Sequence, residues 1–189
     1  MNEIKAEFED LNSYLDAYEK NPDLGIVPVP LVAHYLGRTA AAVTAMIRSK
    51  RLAEVKIGRN RYVSLQSLLE DRAARENEME RVKGYLVKQA KRGVRAVFYD
   101  PVMAQVGLSS GVPTHRSRIG NILGDISEDS YDHHGILLSV LVHRKTAGRT
   151  RPGAGFFELA EAFGLKWDDD DVFVEKQTDL VLRFYAKRR

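Results

Sequence analysis

Residues 28–71 place helix starters, turn formers and helix caps in an order that few folds accommodate. Pro30 suits the first position of a helix, where a backbone N–H is not needed. Leu31, Val32, Tyr35 and Leu36 give that helix an apolar side. Gly37 permits a sharp turn, and Thr39 offers its hydroxyl to cap a second helix. In the second helix Val43, Met46 and Ile47, with Ala42, are expected to face inward. Thr44, Arg48 and Arg51 then face outward, beside Ala41 and Ala45. Two strand-like runs follow, 54–57 and 61–63. Gly58-Arg59-Asn60 joins them as a tight turn, because glycine and asparagine tolerate positive φ. Ser64 caps a third helix. The resulting order is helix, tight turn, helix, basic hairpin, helix.

Charge is concentrated on the same segment. The chain carries 29 Lys and Arg against 26 Asp and Glu, a net +3. Residues 28–64 alone hold seven bases and one acid, whereas residues 1–27 hold two bases and seven acids. A local basic patch points to a polyanion more directly than the total charge does, although a solvated surface carries the same signature. The absence of cysteine excludes disulfides, thiol catalysis and cysteine-ligated metal centres. Apolar runs fall well short of the roughly 18–20 residues that span a bilayer. The first twenty residues alternate charged and apolar side chains and resemble neither a signal peptide nor an anchor, so a cytoplasmic protein without a membrane partner is expected.

The segment resembles the small winged helix-turn-helix DNA-binding domains of the MerR and excisionase type. The resemblance rests on Ala33, Leu36, Gly37, Val43 and Ile47, on Arg51-Leu52, on the wing Val55, Ile57, Gly58, Arg59, Arg61 and Tyr62, and on Ser67 and Leu68. It implies that the second helix, 39–50, enters the major groove of double-stranded DNA while the wing follows phosphates. The residues so implicated are Arg38, Thr39, Ala41, Thr44, Arg48, Lys50, Arg51, Lys56, Arg59, Asn60 and Arg61. Arg48 and Arg51 are the candidates for reading guanine or gripping phosphate, and Thr44 for a base edge or a thymine methyl. The chain departs from the family in two places. Lys50 follows the recognition helix where glycine is frequent, and Ala40, Ala41 and Ala45 offer only methyl groups to the groove.

Outside this segment, residues 2–20 read as an amphipathic helix with Ile4, Phe8, Leu11, Leu15 and Tyr18 on one face, docked on the body or paired with a second copy. Residues 65–92 read as one long helix whose charged middle bridges two domains. Beyond Gly93 come a short strand within 94–99, a short helix at 101–106, a helix at 114–126 and a buried strand at 136–142. A glycine–arginine loop at 146–155, a helix at 156–163 and a last helix at 172–187 complete the chain. The order between 98 and 142 admits a second winged-helix-like unit with His115, Arg116 and Arg118 outward, although its near-neutral charge argues against it. Arg149 and Arg151 are further candidates for a second backbone contact.

Catalysis finds little support. Glu128, Asp129, Asp132, His133, His134 and His143 lie close in sequence, but no metal-ligand spacing is present, and a polar loop before a buried strand accounts for them. The glycine-rich stretch at 148–155 lacks the Gly-Lys-Ser/Thr ending of a nucleotide-hydrolase loop. The expectation is therefore an α+β, mostly helical protein. It has an N-terminal helix and linker (1–27), a winged helix-turn-helix (28–72), a connecting helix (73–92) and a mixed C-terminal domain (93–189). Its expected role is noncatalytic binding of double-stranded DNA, without cofactor or metal, as a transcriptional regulator or mobile-element factor of bacterial or phage type, used as a dimer or in tandem. The alternatives are a metal-dependent nuclease targeted by the winged helix, and an adaptor whose winged helix binds protein.

Overall fold

The computed structural model describes residues 6–146 and 148–186. The fold is α+β and mostly helical, as expected. It divides into two compact units, 1–74 and 75–189, each with its own apolar core.

The first unit begins with a strand. Residues 6–8 form β1 (Ala6–Phe8), and Asp10 caps α1 (Leu11–Lys20). The expected helix over 2–20 is thus replaced by a strand and a shorter helix, and its residues 2–5 lie outside the described residues. The cause is local: the Asp10 carboxylate accepts from Ser13 N–H (2.8 Å) while the Ser13 hydroxyl accepts from Asp10 N–H (3.2 Å), a capping box that starts the helix there. The starting point also changes the buried face. Tyr14 is buried and donates its hydroxyl to Leu24 O at 3.1 Å, whereas Leu11, Leu15 and Tyr18 are exposed.

After a single 3-10 turn (Pro22–Leu24) come β2 (Ile26–Pro28), α2 (Val29–Tyr35), α3 (Ala40–Arg48), β3 (Glu54–Ile57) and β4 (Asn60–Ser64). They form a four-stranded sheet in the order β1-β3-β4-β2. The hairpin β3–β4 is antiparallel, β2 joins β4 antiparallel, and β1 joins β3 parallel. The residues singled out as punctuation perform their tasks. Thr39 Oγ1 accepts from Ala42 N–H at 3.2 Å, and Ser64 caps the following helix through Ser67 N–H at 3.3 Å. Gly58 lies at φ +55°, and a Cβ there would come within 3.3 Å of Glu9 O, so both backbone and space favour glycine. Val32, Ala33, Val43, Met46, Leu52, Val63 and Leu68 form the core. Leu31 and Tyr35, expected inside, are 61% and 53% exposed. The short α2 turns Val32 and Ala33 inward, which carries positions 31 and 35 to its outer side.

α4 (Leu65–Lys91) runs as the one long helix anticipated. Its second half is more than a bridge: Val82, Leu86 and Ala90 are buried in the core of the second unit. That unit continues with β5 (Val97–Phe98), α5 (Tyr99–Ala104) and α6 (Pro113–His134). Residues 128–134, expected as a loop, are the last two turns of α6, which ends at Gly135. The run at 136–142 is buried as expected but is not a strand: Leu138–Leu141 is a 3-10 turn. Serines decide the matter. Ser130 Oγ donates to Ile136 O (2.9 Å) and accepts from Leu138 N–H (3.2 Å), and Ser127 Oγ accepts from Ser139 N–H (3.1 Å) while donating to Ser139 Oγ (2.6 Å). These bonds hold the backbone against α6 rather than in a ladder, an outcome that a continuous apolar run leaves open.

The strand comes later, as β6 (Val142–Thr146), and pairs antiparallel with β7 (Arg149–Arg151). The expected loop at 146–155 therefore contains a hairpin. β5 joins β6 parallel, giving the order β5-β6-β7. The second unit thus also follows two helices with a hairpin, but its leading strand pairs with the first hairpin strand, whereas β2 pairs with the second. α7 (Ala154–Ala162) and α8 (Asp170–Ala186) close the unit, the latter begun by Asp169, whose carboxylate accepts from Val172 N–H at 2.9 Å.

His143 on β6 is buried. Its Nε2 lies 3.1 Å from Val140 O, and its Nδ1 makes no hydrogen bond among the described residues. Burial holds its pKa below the ordinary imidazole value, partly offset by the bond to Val140. The unfolded chain therefore takes up this proton first as the pH falls, so the associated stability is complete above a pH of about 6.5 and is lost below it. His143→Gln can still donate to Val140 O but does not titrate. Its denaturation midpoint should fall less than that of the unaltered protein between about pH 7.5 and about pH 5.

Candidate nucleic-acid interface

The first unit presents the outer side of α3 and the β3–β4 hairpin as its two basic features. α3 owes its orientation to Val43 and Met46, whose burial leaves Ala41, Ala45 and Arg48 exposed. Thr44 is half-buried, and its hydroxyl donates to Ala40 O at 3.0 Å, so it is already engaged with the helix backbone. Arg38 is exposed in the turn before α3; Arg59 and Asn60 are exposed at the hairpin turn. Thr39, exposed as well, is committed to the cap.

The cations implicated by the sequence fall into two groups. Arg51 Nε lies 2.6 Å from Oδ1 of Asp71, whose side chain is only 6% exposed. This arginine holds the start of α4 to the end of the helix-turn-helix. Lys56 Nζ is 3.3 Å from Glu7 Oε1, and Arg61 is paired with Glu54. Arg38, Arg48 and Arg59 have no ion pair among the described residues. They are positive charges of the helix-turn-helix and its hairpin that no carboxylate among the described residues compensates.

Lys50 follows α3 at φ +58°, the only non-glycine residue at positive φ among those described. The position that relatives of the resembled family often give to glycine has the left-handed backbone that favours glycine. A lysine there costs about 1 kcal/mol of strain. Lys50→Gly should accordingly raise the denaturation midpoint, by an amount worth about 0.5 kcal/mol once the lost chain entropy of glycine is set against the relief.

In the second unit the side chains expected to form another contact are mostly engaged internally. His115 Nδ1 accepts from Ser109 N–H at 3.1 Å, and Arg116 donates to Ser110 O at 3.2 Å. Arg118 grips Glu78 with two bonds of 3.0 and 2.5 Å. Arg151 is 3.4 Å from Asp170 and stands over the ring of Phe157. The side chain of Arg149 lies outside the described residues. Sequence reasoning passed over Arg144 and Lys145, both exposed on β6. The signal was present, since no acid occurs between Gly135 and Phe157, but the strand that carries these residues begins six residues later than the apolar run suggests.

The clustered acids and histidines do not converge. His133 Nδ1 accompanies Asp129 at 3.4 Å, and Lys83 binds Asp129 at 2.7 Å. The hydrogen bond from Lys83 lowers the pKa of Asp129 and raises that of Lys83. Among the described residues, no three acids or histidines are placed to hold a metal ion, and no helix is long and apolar enough to cross a membrane.

No family model, curated protein or solved structure matches the chain.

Proposed function

We propose that the first unit binds double-stranded DNA, with α3 in the major groove and the β3–β4 hairpin beside the backbone. The protein acts without catalysis, as a regulator or mobile-element factor. The observation that carries this reading is a set of three exposed arginines without ion pairs among the described residues: Arg38 before α3, Arg48 at its last residue beside an outer face of small side chains, and Arg59 at the hairpin turn. Such a face lets the helix approach the base edges closely, while the arginines neutralise phosphates. Methyl groups supply few hydrogen bonds, so recognition relies on thymine methyls and groove shape.

The experiment is an anisotropy titration of a labelled duplex with the full chain and with Ala41→Glu/Ala45→Glu. Both alanines are exposed, so the fold tolerates the change. Carboxylates on that face should cost about 2 kcal/mol or more against phosphate, roughly thirtyfold in affinity. Equal affinity would remove α3 from the interface.

A second reading, self-association through α1, is favoured by the exposed stripe Leu11, Leu15 and Tyr18. Sedimentation equilibrium of the full chain distinguishes it.

A further inference from the structure

We propose that the β6–β7 hairpin is a second wing, which contacts the phosphate backbone of double-stranded DNA through Arg144 and Lys145. The inference rests on the DNA-binding reading of the first unit and deepens it.

Three observations carry it. The first is an imbalance of charge. In the first hairpin Lys56 and Arg61 each have a carboxylate partner, Glu7 and Glu54. In the second, Arg144 and Lys145 are exposed and form no ion pair among the described residues; Lys145 Nζ only stands 5.1 Å from the centroid of the Phe98 ring. The second is register. Arg144 lies directly opposite Arg151. Like charges in directly opposed positions of a sheet destabilise it, and the carboxylate of Asp170, 3.4 Å from Arg151, is half-exposed. A hairpin that retains this pair is suited to an external anion. The third is the pleat. Neighbouring residues of a strand point to opposite faces, so Arg144 and Lys145 place a cation on each face of the ribbon. A ribbon charged on both faces can neutralise phosphates on either side of it, as a wing does when it lies along a groove.

A groove of about 820 Å³ beside the hairpin is less suited to a polyanion, because Arg144, Arg151 and Lys166 share its lining with four carboxylates. The hairpin stretch itself, from Gly135 to Phe157, contains no acid, and buried His143 secures its base. At the start of α6, by contrast, Arg116 donates to Ser110 O and Arg118 to Glu78.

The test measures the salt dependence of binding to a labelled mixed-sequence duplex, using the full chain. Arg144→Ala/Lys145→Ala should reduce the slope of log K against log salt by about two and weaken binding uniformly across sequences. Arg144→Lys/Lys145→Arg should retain the slope and the denaturation midpoint, whereas the alanine variant, relieved of the opposed pair, should unfold at a denaturant concentration no lower than that of the unaltered chain. An unchanged slope in the alanine variant, while Arg38→Ala/Arg48→Ala/Arg59→Ala lowers it, would overturn the second wing and leave the first-unit reading standing. A slope lowered only by the hairpin variant would support the wing and overturn the first-unit reading. Absence of binding by the unaltered chain would overturn both.

Discussion

Arg38→Ala/Arg48→Ala/Arg59→Ala should weaken duplex binding by about a hundredfold, from three phosphate contacts worth about 1 kcal/mol each. The same variant should unfold at the same denaturant concentration as the unaltered protein. Both halves follow from the surroundings of these side chains. All three are exposed, and none forms an ion pair among the described residues. Removing them leaves no carboxylate without its partner. Arg51 provides the contrast. Its guanidinium accompanies the buried carboxylate of Asp71, so an alanine there would disturb the fold before it disturbed binding. Lys56 and Arg61 lie between these extremes, because each must give up an exposed or partly exposed carboxylate to meet a phosphate. Anisotropy titration beside denaturant unfolding separates the effects. A triple variant with unaltered affinity would leave the proposed interface without its charges.

Leu52→Ala should destabilise the first unit by about 3 kcal/mol and abolish DNA binding without touching a cation. Leu52 is 1% exposed and belongs to a core cluster of only seven buried residues. It also stands at a junction: its N–H donates to Met46 O at 3.2 Å, and β3 begins two residues later. A cavity there loosens both α3 and the hairpin from their common support. A small unit has little stability to lose, so the expected loss is a large fraction of the total. Leu31→Ala is the control, since Leu31 is exposed and its truncation should fall within about 0.5 kcal/mol of zero. The denaturation midpoint checks the pair, and equal midpoints would show that the core does not depend on Leu52.

The helix-turn-helix and its hairpin were legible because their determinants are local. Thr39, Gly58 and Ser64 each meet a need of the backbone within three residues of themselves or at their own φ. Even the unusual Lys50 was visible as a lysine in a place that suits glycine. What the sequence concealed depends on distant partners. β1 exists because Ala6–Phe8 pairs with β3, almost fifty residues away, and helical periodicity gave no sign of that. The run at 136–142 is apolar enough for a strand, and only the hydroxyls of Ser127 and Ser130 determine otherwise. The same distinction governs the interface. Sequence identified the basic segment and its exposed arginines, but not that Glu7, Glu54 and Asp71 would engage Lys56, Arg61 and Arg51. In the second unit, Arg118 pairs with Glu78, and Arg144 and Lys145 lie on a strand that begins only at Val142.

The central claim is that this chain binds duplex DNA by neutralising phosphates. Its most direct test is the affinity of the unaltered full chain for a duplex over a range of salt concentrations. Three arginines of the first unit and two cations of the second hairpin predict a slope of log K against log salt of about −4 to −5. A slope near zero, or no measurable binding at low salt, would contradict the account.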